Sequence, residues 1–198
     1  LAYSLIEILV SLQAHCRAKD EVTTFYHKDV AQLLSHPYIT DICGDIAREK
    51  IKEIATKRVI MVEDRLLNEA IKDKNYCTTA EIEQAKSILS KLFIDAKTIE
   101  LAQTDGEQEC GWKKLAHYIV DVLNTISALQ DFNEFDSDNY NNEHRLLVAN
   151  EITKLVNLIE ACKIPLSTEI FVSLLRRHLQ TISIPYEGKP LDGLQILG

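Results

Sequence analysis

The stretch LAHYIVDVLNTISAL, residues 115–129, decides the fold class. Its apolar side chains recur at intervals of four, three, four and three residues: Leu115, Ile119, Val122, Ile126 and Leu129. An α-helix brings residues with this spacing onto one face. The stretch therefore predicts a helix of about four turns that buries a narrow apolar seam.

Helical spacing continues on both sides of this stretch. The stripe Leu1, Leu5, Leu9, Leu12 and Cys16 predicts a first helix, and a Thr78–Glu81 capping box predicts another that ends near Phe93. Further helices are expected over residues 26–34 and 64–72, and one that begins at a cap, Asp41 or Asp45, and ends near Thr56. Another helical stretch is expected to end at Gln103. A long helix is expected to end before Pro165, and a last one to begin after a cap at Ser167 or Thr168. About eight helices result.

Strand signals are few. Residues 58–62, Arg-Val-Ile-Met-Val, are the single β-branched run expected to form an internal strand, and the polar residues 17–24 are expected to interrupt the helices. No sheet of three strands is expected to be complete within the chain. The predicted fold is an all-α, irregular multi-helix domain with one or two short strands.

Composition agrees with this class. The 198 residues are 46% hydrophobic and 26% charged, as in one ordinary globular domain or two small ones. Six Gly and four Pro are too few for a β-sandwich with frequent turns. No apolar run of membrane-spanning length and no signal peptide pattern is present, so no membrane association and a cytoplasmic location are expected.

The best candidate for an internal boundary is the acidic connection between Thr104 and Gly111. It divides the chain into helical parts 1–103 and 104–198, which alternatively form a single domain. The chain begins at Leu1 without an initiator Met, and residues 194–197 have the character of a strand entering another domain. We therefore expect a fragment of a longer protein.

No catalytic, cofactor or metal site is predicted. Five scattered cysteines, read as small buried hydrophobic residues, form no C-x-x-C pair, and no histidine pattern fits zinc or di-iron. Residues 136–141 resemble the opening of a calcium loop, but the sixth position is Asn141 and the twelfth is Leu147. Nucleophile-elbow, Walker and dinucleotide motifs are absent. His27 and His36 are expected to cap or bond locally, and Trp112 to pack in the core.

The charge pattern leaves two places for DNA. A net charge of −8 repels phosphates, so any DNA contact must be local. The pair Arg176 and Arg177 has no acidic residue nearer in sequence than Glu169 and Glu187, which makes it the least neutralised basic spot. The second candidate is Lys57 and Arg58, at the end of a basic cluster with interleaved acids that is typical of a solvated helix face.

Both ends of the chain carry segments that resemble one family. They are IPYEGKPLDGLQIL at residues 184–197, YSLI at 3–6, FYHKDV at 25–30 and LSHPYI at 34–39. These are similar to segments of the AddB-like proteins of the PD-(D/E)XK nuclease superfamily, where they flank the 2B-like insert of a helicase-like region. Residues 46–142 carry no such segment.

The resemblance implies the helical 2B-like subdomain of a bacterial nuclease that processes double-strand DNA ends for recombination and repair. The nuclease carboxylates, any ATP site and any iron–sulfur cysteines would lie elsewhere in the parent protein. The implied partners are DNA and a partner helicase or nuclease subunit. The acidic balance favours the alternative, a helical protein–protein interaction module without a nucleic-acid role.

Overall fold

The computed structural model describes residues 1–19, 22–68, 78–95, 111–130 and 138–182. These residues form eight helices, α1 (Ala2–His15), α2 (His27–Leu34), α3 (Pro37–Lys57), α4 (Asp64–Asn68), α5 (Thr79–Leu92), α6 (Gly111–Gln130), α7 (Asp138–Ala161) and α8 (Thr168–Thr181), and three strands, β1 (Arg17–Lys19), β2 (Val22–Tyr26) and β3 (Met61–Glu63). Helices hold 80% of them, which confirms the all-α class and the expected number of helices.

Local sequence chemistry explains several helix boundaries. The Thr78 hydroxyl accepts a hydrogen bond from the Glu81 backbone N–H at 3.3 Å, and the Glu81 carboxylate accepts one from the Thr78 N–H at 2.7 Å. This is the predicted capping box, and it opens α5. The Ser167 hydroxyl caps α8 by accepting from the Ile170 N–H at 3.3 Å, as predicted.

The strands differ from the prediction. They form a complete antiparallel sheet in the order β1-β2-β3, so the expectation that no three-stranded sheet would close within the chain is wrong. Thr24 pairs with both Arg17 and Glu63, and Phe25 pairs with Val62. The β-branched and aromatic run Val-Thr-Thr-Phe-Tyr of β2 was the missed signal, since such residues favour strands over the predicted interruption.

Helix α3 also begins earlier than predicted. Its N-cap is His36, whose ring nitrogen Nδ1 accepts from the Tyr38 N–H at 3.3 Å, and neither Asp41 nor Asp45 is the cap. The helix is kinked at Gly44, where φ is +50° and ψ is −123°, a conformation that glycine adopts without strain. The helix ends at Lys57 because Arg58 has the left-handed conformation, with φ of 52°.

The acidic segment 131–142, predicted as a loop, is helical from Asp138 onward because α7 starts there. The resemblance to a calcium loop therefore fails over its described part. Residues 69–72 of the predicted fourth helix, the stretch up to Gln103, the boundary at 104–110 and residues 194–197 lie outside the described residues.

The buried apolar residues form one cluster that includes both sides of the predicted boundary. Helix α6 carries the predicted seam: Ile119 and Ile126 are fully buried, and Leu115 and Val122 nearly so. Helices α1, α3 and α5 from the first half pack against α6 from the second. A continuous core of this kind holds the sheet and the helix ends at fixed positions around it.

Candidate nucleic-acid interface

The first predicted DNA contact, Arg176, has an acidic partner far away in sequence. Its guanidinium donates three hydrogen bonds to the Glu7 carboxylate of α1, at 2.8, 3.1 and 2.8 Å. These bonds hold the pKa of Glu7 below its ordinary value. The premise that Arg176 is the least neutralised basic residue is therefore wrong, because counting nearby acids in the sequence cannot detect a partner 169 residues away.

Its neighbour Arg177 is exposed on α8 and takes part in no ion pair among the described residues. Glu169 lies on the same helix, and Glu151 of α7 lies 3.4 Å from His178 and pairs with Lys154 at 2.6 Å. The structure does not bring Arg176 and Arg177 together with Lys57 and Arg58 into one basic patch, since the two pairs lie on α8 and at the end of α3.

The second predicted contact borders a groove. Lys57 pairs with Glu53 at 2.7 Å on the surface of α3, while Arg58 is exposed and has no ion pair in the described ranges. Arg58 and His27 line an apolar groove of about 350 Å³ between α2, α3 and the start of β3. The apolar lining residues are Ala31, Ile51, Ile54, Ala55, Val59 and Ile60. Arg58 thus lies beside an apolar surface and has no ion-pair partner within the part of the chain that the structure describes.

The basic cluster that leads to this groove is not wholly solvated, in contrast to the prediction. Lys50 is 4% exposed and donates a hydrogen bond to the Leu66 carbonyl at 2.9 Å. It is therefore part of the packing between α3 and α4, and is removed from any DNA contact. Arg48, by contrast, is exposed and pairs with Asp45 at 2.7 Å.

Of the two histidines singled out in the sequence, His36 caps a helix as predicted, but the bonds of His27 to Ile60 and of His36 to Ser4 join residues 33 and 32 positions apart and are not local. The Ile60 carbonyl accepts from the His27 backbone N–H at 3.0 Å and lies 3.1 Å from its Nδ1. Because a carbonyl only accepts, this Nδ1 carries the proton. His36 is 5% exposed; its Nε2 lies 3.0 Å from the Ser4 hydroxyl, which donates its own proton to the Leu1 carbonyl. His36 Nε2 is therefore the donor to Ser4.

His36 belongs to a group we call the His-Pro-Tyr corner: Ser4, His36, Pro37, Tyr38 and Arg145. Tyr38 is 2% exposed, and the Arg145 guanidinium of α7 lies 4.6 Å from its ring centroid. Arg145 is 1% exposed and its Nε donates to the Ser127 hydroxyl at 3.4 Å. The corner joins α1, α3, α6 and α7, so the family-like LSHPYI segment has a structural role here.

Sequence reasoning missed a histidine–carboxylate pair. His15 Nδ1 lies 2.6 Å from one oxygen of the buried Asp29, and the Ser11 hydroxyl donates to the other oxygen at 3.2 Å. Since Ser11 contacts Asp29 and not His15, the three residues lack the serine–histidine bond that activates a nucleophile. The spacing of Ser11 and His15 on one helix face was the available signal, but Asp29 comes from α2.

A second groove, of about 410 Å³, lies between α1, α6 and α8. Its lining is mostly apolar and includes Val10, Ala14, Leu115 and Val172, with the paired Arg176 at its edge. Trp112 of α6 is 3% exposed and packs against Phe171 with ring centroids 5.3 Å apart, which confirms its predicted place in the core. A groove of this size between helices suits an apolar side chain of a partner.

Among the described residues, no three His, Cys, Asp or Glu side chains are close enough to hold a metal ion. Cys16 and Cys43 are buried as predicted, and burial raises the pKa of Cys43 to about 12. Cys162 is exposed, so the prediction of a buried residue is wrong there. Within the described ranges, no helix is both long and apolar enough to cross a bilayer.

Comparison with known proteins identifies no relative. No family model matches the chain, and neither a curated protein nor a solved structure matches it significantly.

Proposed function

We propose that the chain is a non-catalytic helical subdomain, similar to the helicase 2B insert, of a bacterial PD-(D/E)XK nuclease that processes double-strand DNA ends in recombination and repair. Its work is to position DNA or a partner subunit, in the cytoplasm, without a cofactor of its own. Turnover belongs to other parts of the parent protein.

One observation carries this proposal: segments that resemble the family stand at both ends of the chain, and one of them, LSHPYI, forms the buried His-Pro-Tyr corner. His36, Tyr38 and Arg145 lie together inside the core. The corner therefore supports the reading of LSHPYI as a fold-determining segment of such an insert.

Lys57 and Arg176 are each paired with an acidic residue, and the geometry favours the Lys57 and Arg58 pair as the DNA contact because Arg58 lies beside a groove. Arg176 pairs with Glu7, and Glu151 of α7 lies near His178 of α8. Arg58 is exposed beside a groove. An acidic protein with one local cationic region binds DNA weakly and loses that binding steeply with salt, so we expect dissociation constants near the roughly 10⁻⁴ to 10⁻⁶ M of non-specific contacts.

The gene itself gives the first test. We expect the reading frame downstream of Gly198 to encode a PD-(D/E)XK nuclease motif. A stop codon directly after Gly198 would overturn the proposal.

A solution test uses fluorescence anisotropy of a labelled forked duplex titrated with the 198-residue chain at low salt, and again at increasing salt. Weak binding with a steep salt dependence is expected. Absence of binding at the lowest salt would favour the alternative function, a helical protein–protein interaction module. The groove between α1, α6 and α8 is the observation that favours this second candidate.

A further inference from the structure

The solvent face of the three-stranded sheet carries an unusual set of side chains. The sheet packs on the core through Phe25 and Val62, both fully buried. Side chains alternate between the two faces of a strand, so Thr24 and Tyr26 of β2 lie on the opposite face. The register places Arg17 beside Thr24 on that face, and Arg17 is exposed.

Three aromatic rings follow one another at this place, and we call them the ring row: His15, Tyr26 and His27. The Tyr26 ring centroid lies 5.8 Å from that of His15 and 4.8 Å from that of His27. The planes meet at 75° and 69°, so the row presents ring faces in more than one direction. The His15 side chain is 55% exposed, and Tyr26 and His27 are partly exposed.

Hydrogen bonds fix the two outer rings. Asp29 binds Nδ1 of His15, and the Ile60 carbonyl binds Nδ1 of His27. A ring held in this way loses little conformational freedom when a ligand packs on it.

Positive charge lies at both ends of the ring row. Arg17 lies on the sheet face near the His15 end of the row. At the His27 end, Arg58 and His27 line the same groove. In the sequence, the segments 15–29 and 52–65, which contain the ring row and Arg58, hold seven Lys and Arg against six Asp and Glu, whereas the whole chain holds 22 against 30. Two carboxylates partly offset this positive charge: Glu63 pairs with Thr24 on the same sheet face, and Asp29 contacts His15.

We propose that the ring row binds single-stranded DNA, with bases packed on its rings and neighbouring phosphates on Arg17 and Arg58. Base stacking on aromatic side chains tolerates every sequence and requires bases whose faces are free, which a duplex does not offer. The cations at both ends match the backbone charge of a strand that runs along the row. This inference rests on the proposed DNA function and adds the strand state and the binding face.

The test compares two labelled probes by fluorescence anisotropy, a short oligo-dT strand and a duplex of equal length, with the 198-residue chain at low salt. The wild-type chain is expected to bind the single strand more tightly than the duplex. Tyr26→Ala is expected to weaken single-strand binding at least about fivefold, and Tyr26→Phe to change it less than about twofold, because phenylalanine keeps the stacking surface.

The matched control is Tyr3→Ala, which removes an exposed tyrosine at the far end of α1 and should leave binding unchanged. A second pair of variants, at His15, tests the ring row even if Tyr26→Ala does not fold. His15→Ala and His15→Phe both lose the bond to Asp29, so any tighter binding by the phenylalanine variant measures stacking alone. Arg17→Ala should lower the salt slope by about 0.7, whereas Arg177→Ala should not.

The outcomes separate this inference from the function on which it rests. If neither probe binds at low salt, the DNA function itself fails. If DNA binds but the duplex is preferred, or if the Tyr26 and His15 alanine variants bind like their phenylalanine counterparts, the ring row is not the site and the DNA function stands on other residues.

Discussion

The His-Pro-Tyr corner and the ring row both contain histidine and tyrosine, with an arginine in the corner and arginines beside the ring row, yet they differ in what those side chains contact. In the corner, His36, Tyr38 and Arg145 are each at most 5% exposed and contact one another or neighbouring helices. In the ring row, His15 is largely exposed, and the nearby Arg17 and Arg58 take part in no ion pair among the described residues.

The comparison separates side chains that stabilise the fold from side chains that remain accessible to a ligand. Buried polar groups generally make their hydrogen bonds inside the protein, as His36 and Arg145 do in the corner, although the buried Tyr38 hydroxyl has no hydrogen-bond partner among the described residues. Aromatic and cationic groups that stay on the surface keep faces and charges for a ligand. The same residue types thus have a structural role in one region and form a proposed binding surface in the other.

The largest effect should come from removing the two tyrosines in turn. Tyr38→Ala deletes a buried ring and its contact with Arg145, and we expect it to lower the free energy of unfolding by about 3–5 kcal/mol. Tyr26→Ala removes a partly exposed ring and should cost about 1 kcal/mol or less. Chemical denaturation of both variants measures this difference, and equal losses would break the comparison.

A smaller effect concerns pH. Burial lowers the pKa of His36 below its ordinary value. Its Nδ1 accepts a hydrogen bond from the Tyr38 N–H, so protonation of Nδ1 would remove this bond and place two N–H groups opposite each other. The unfolded chain therefore takes up this proton more readily, and stability should fall as pH drops below about 6.5.

The measurement is the free energy of unfolding of wild type and His36→Asn between pH 7 and 5. Asparagine keeps a cap for α3 but cannot titrate, so the variant should lose less stability over this range. Some dependence should remain, because burial lowers the pKa of His144 as well. Identical profiles for the two proteins would show that His36 is not the buried neutral group described here.

The smallest effect belongs to the ion pair that neutralises Arg176. A double-mutant cycle with Glu7→Gln and Arg176→Met should give a coupling free energy below about 1 kcal/mol, because both side chains remain partly exposed. Thermal or chemical unfolding of the four proteins provides the cycle. A coupling well above about 1 kcal/mol would contradict the partial exposure of both side chains.

Local patterns predicted what local forces determine. The seam on α6, the Thr78 capping box and the Ser167 cap all depend on residues within a turn or two. The sheet was missed because its strands are short and become stable only when β2 pairs with β3 across α2 and α3.

The site could be predicted only in part for the same reason. Arg58 was predicted as a DNA contact from the basic residues that precede it in the sequence, and it is exposed. Glu7 meets Arg176, and Asp29 meets His15, only through tertiary packing, so no count of adjacent charges could reveal these pairs. The ring row joins the end of α1 to the end of β2, and its assembly likewise depends on the fold.

The central claim is that DNA contacts lie at the Lys57 and Arg58 end of the molecule and not on α8. The most direct measurement is the salt dependence of forked-duplex binding for wild type, Lys57→Ala with Arg58→Ala, and Arg176→Ala with Arg177→Ala. The slope of the logarithm of the binding constant against the logarithm of salt concentration reports the number of phosphate contacts. We expect the first double variant to lower this slope by the equivalent of about one to two contacts and the second to leave it nearly unchanged. Loss of binding confined to the Arg176 and Arg177 variant would contradict the account.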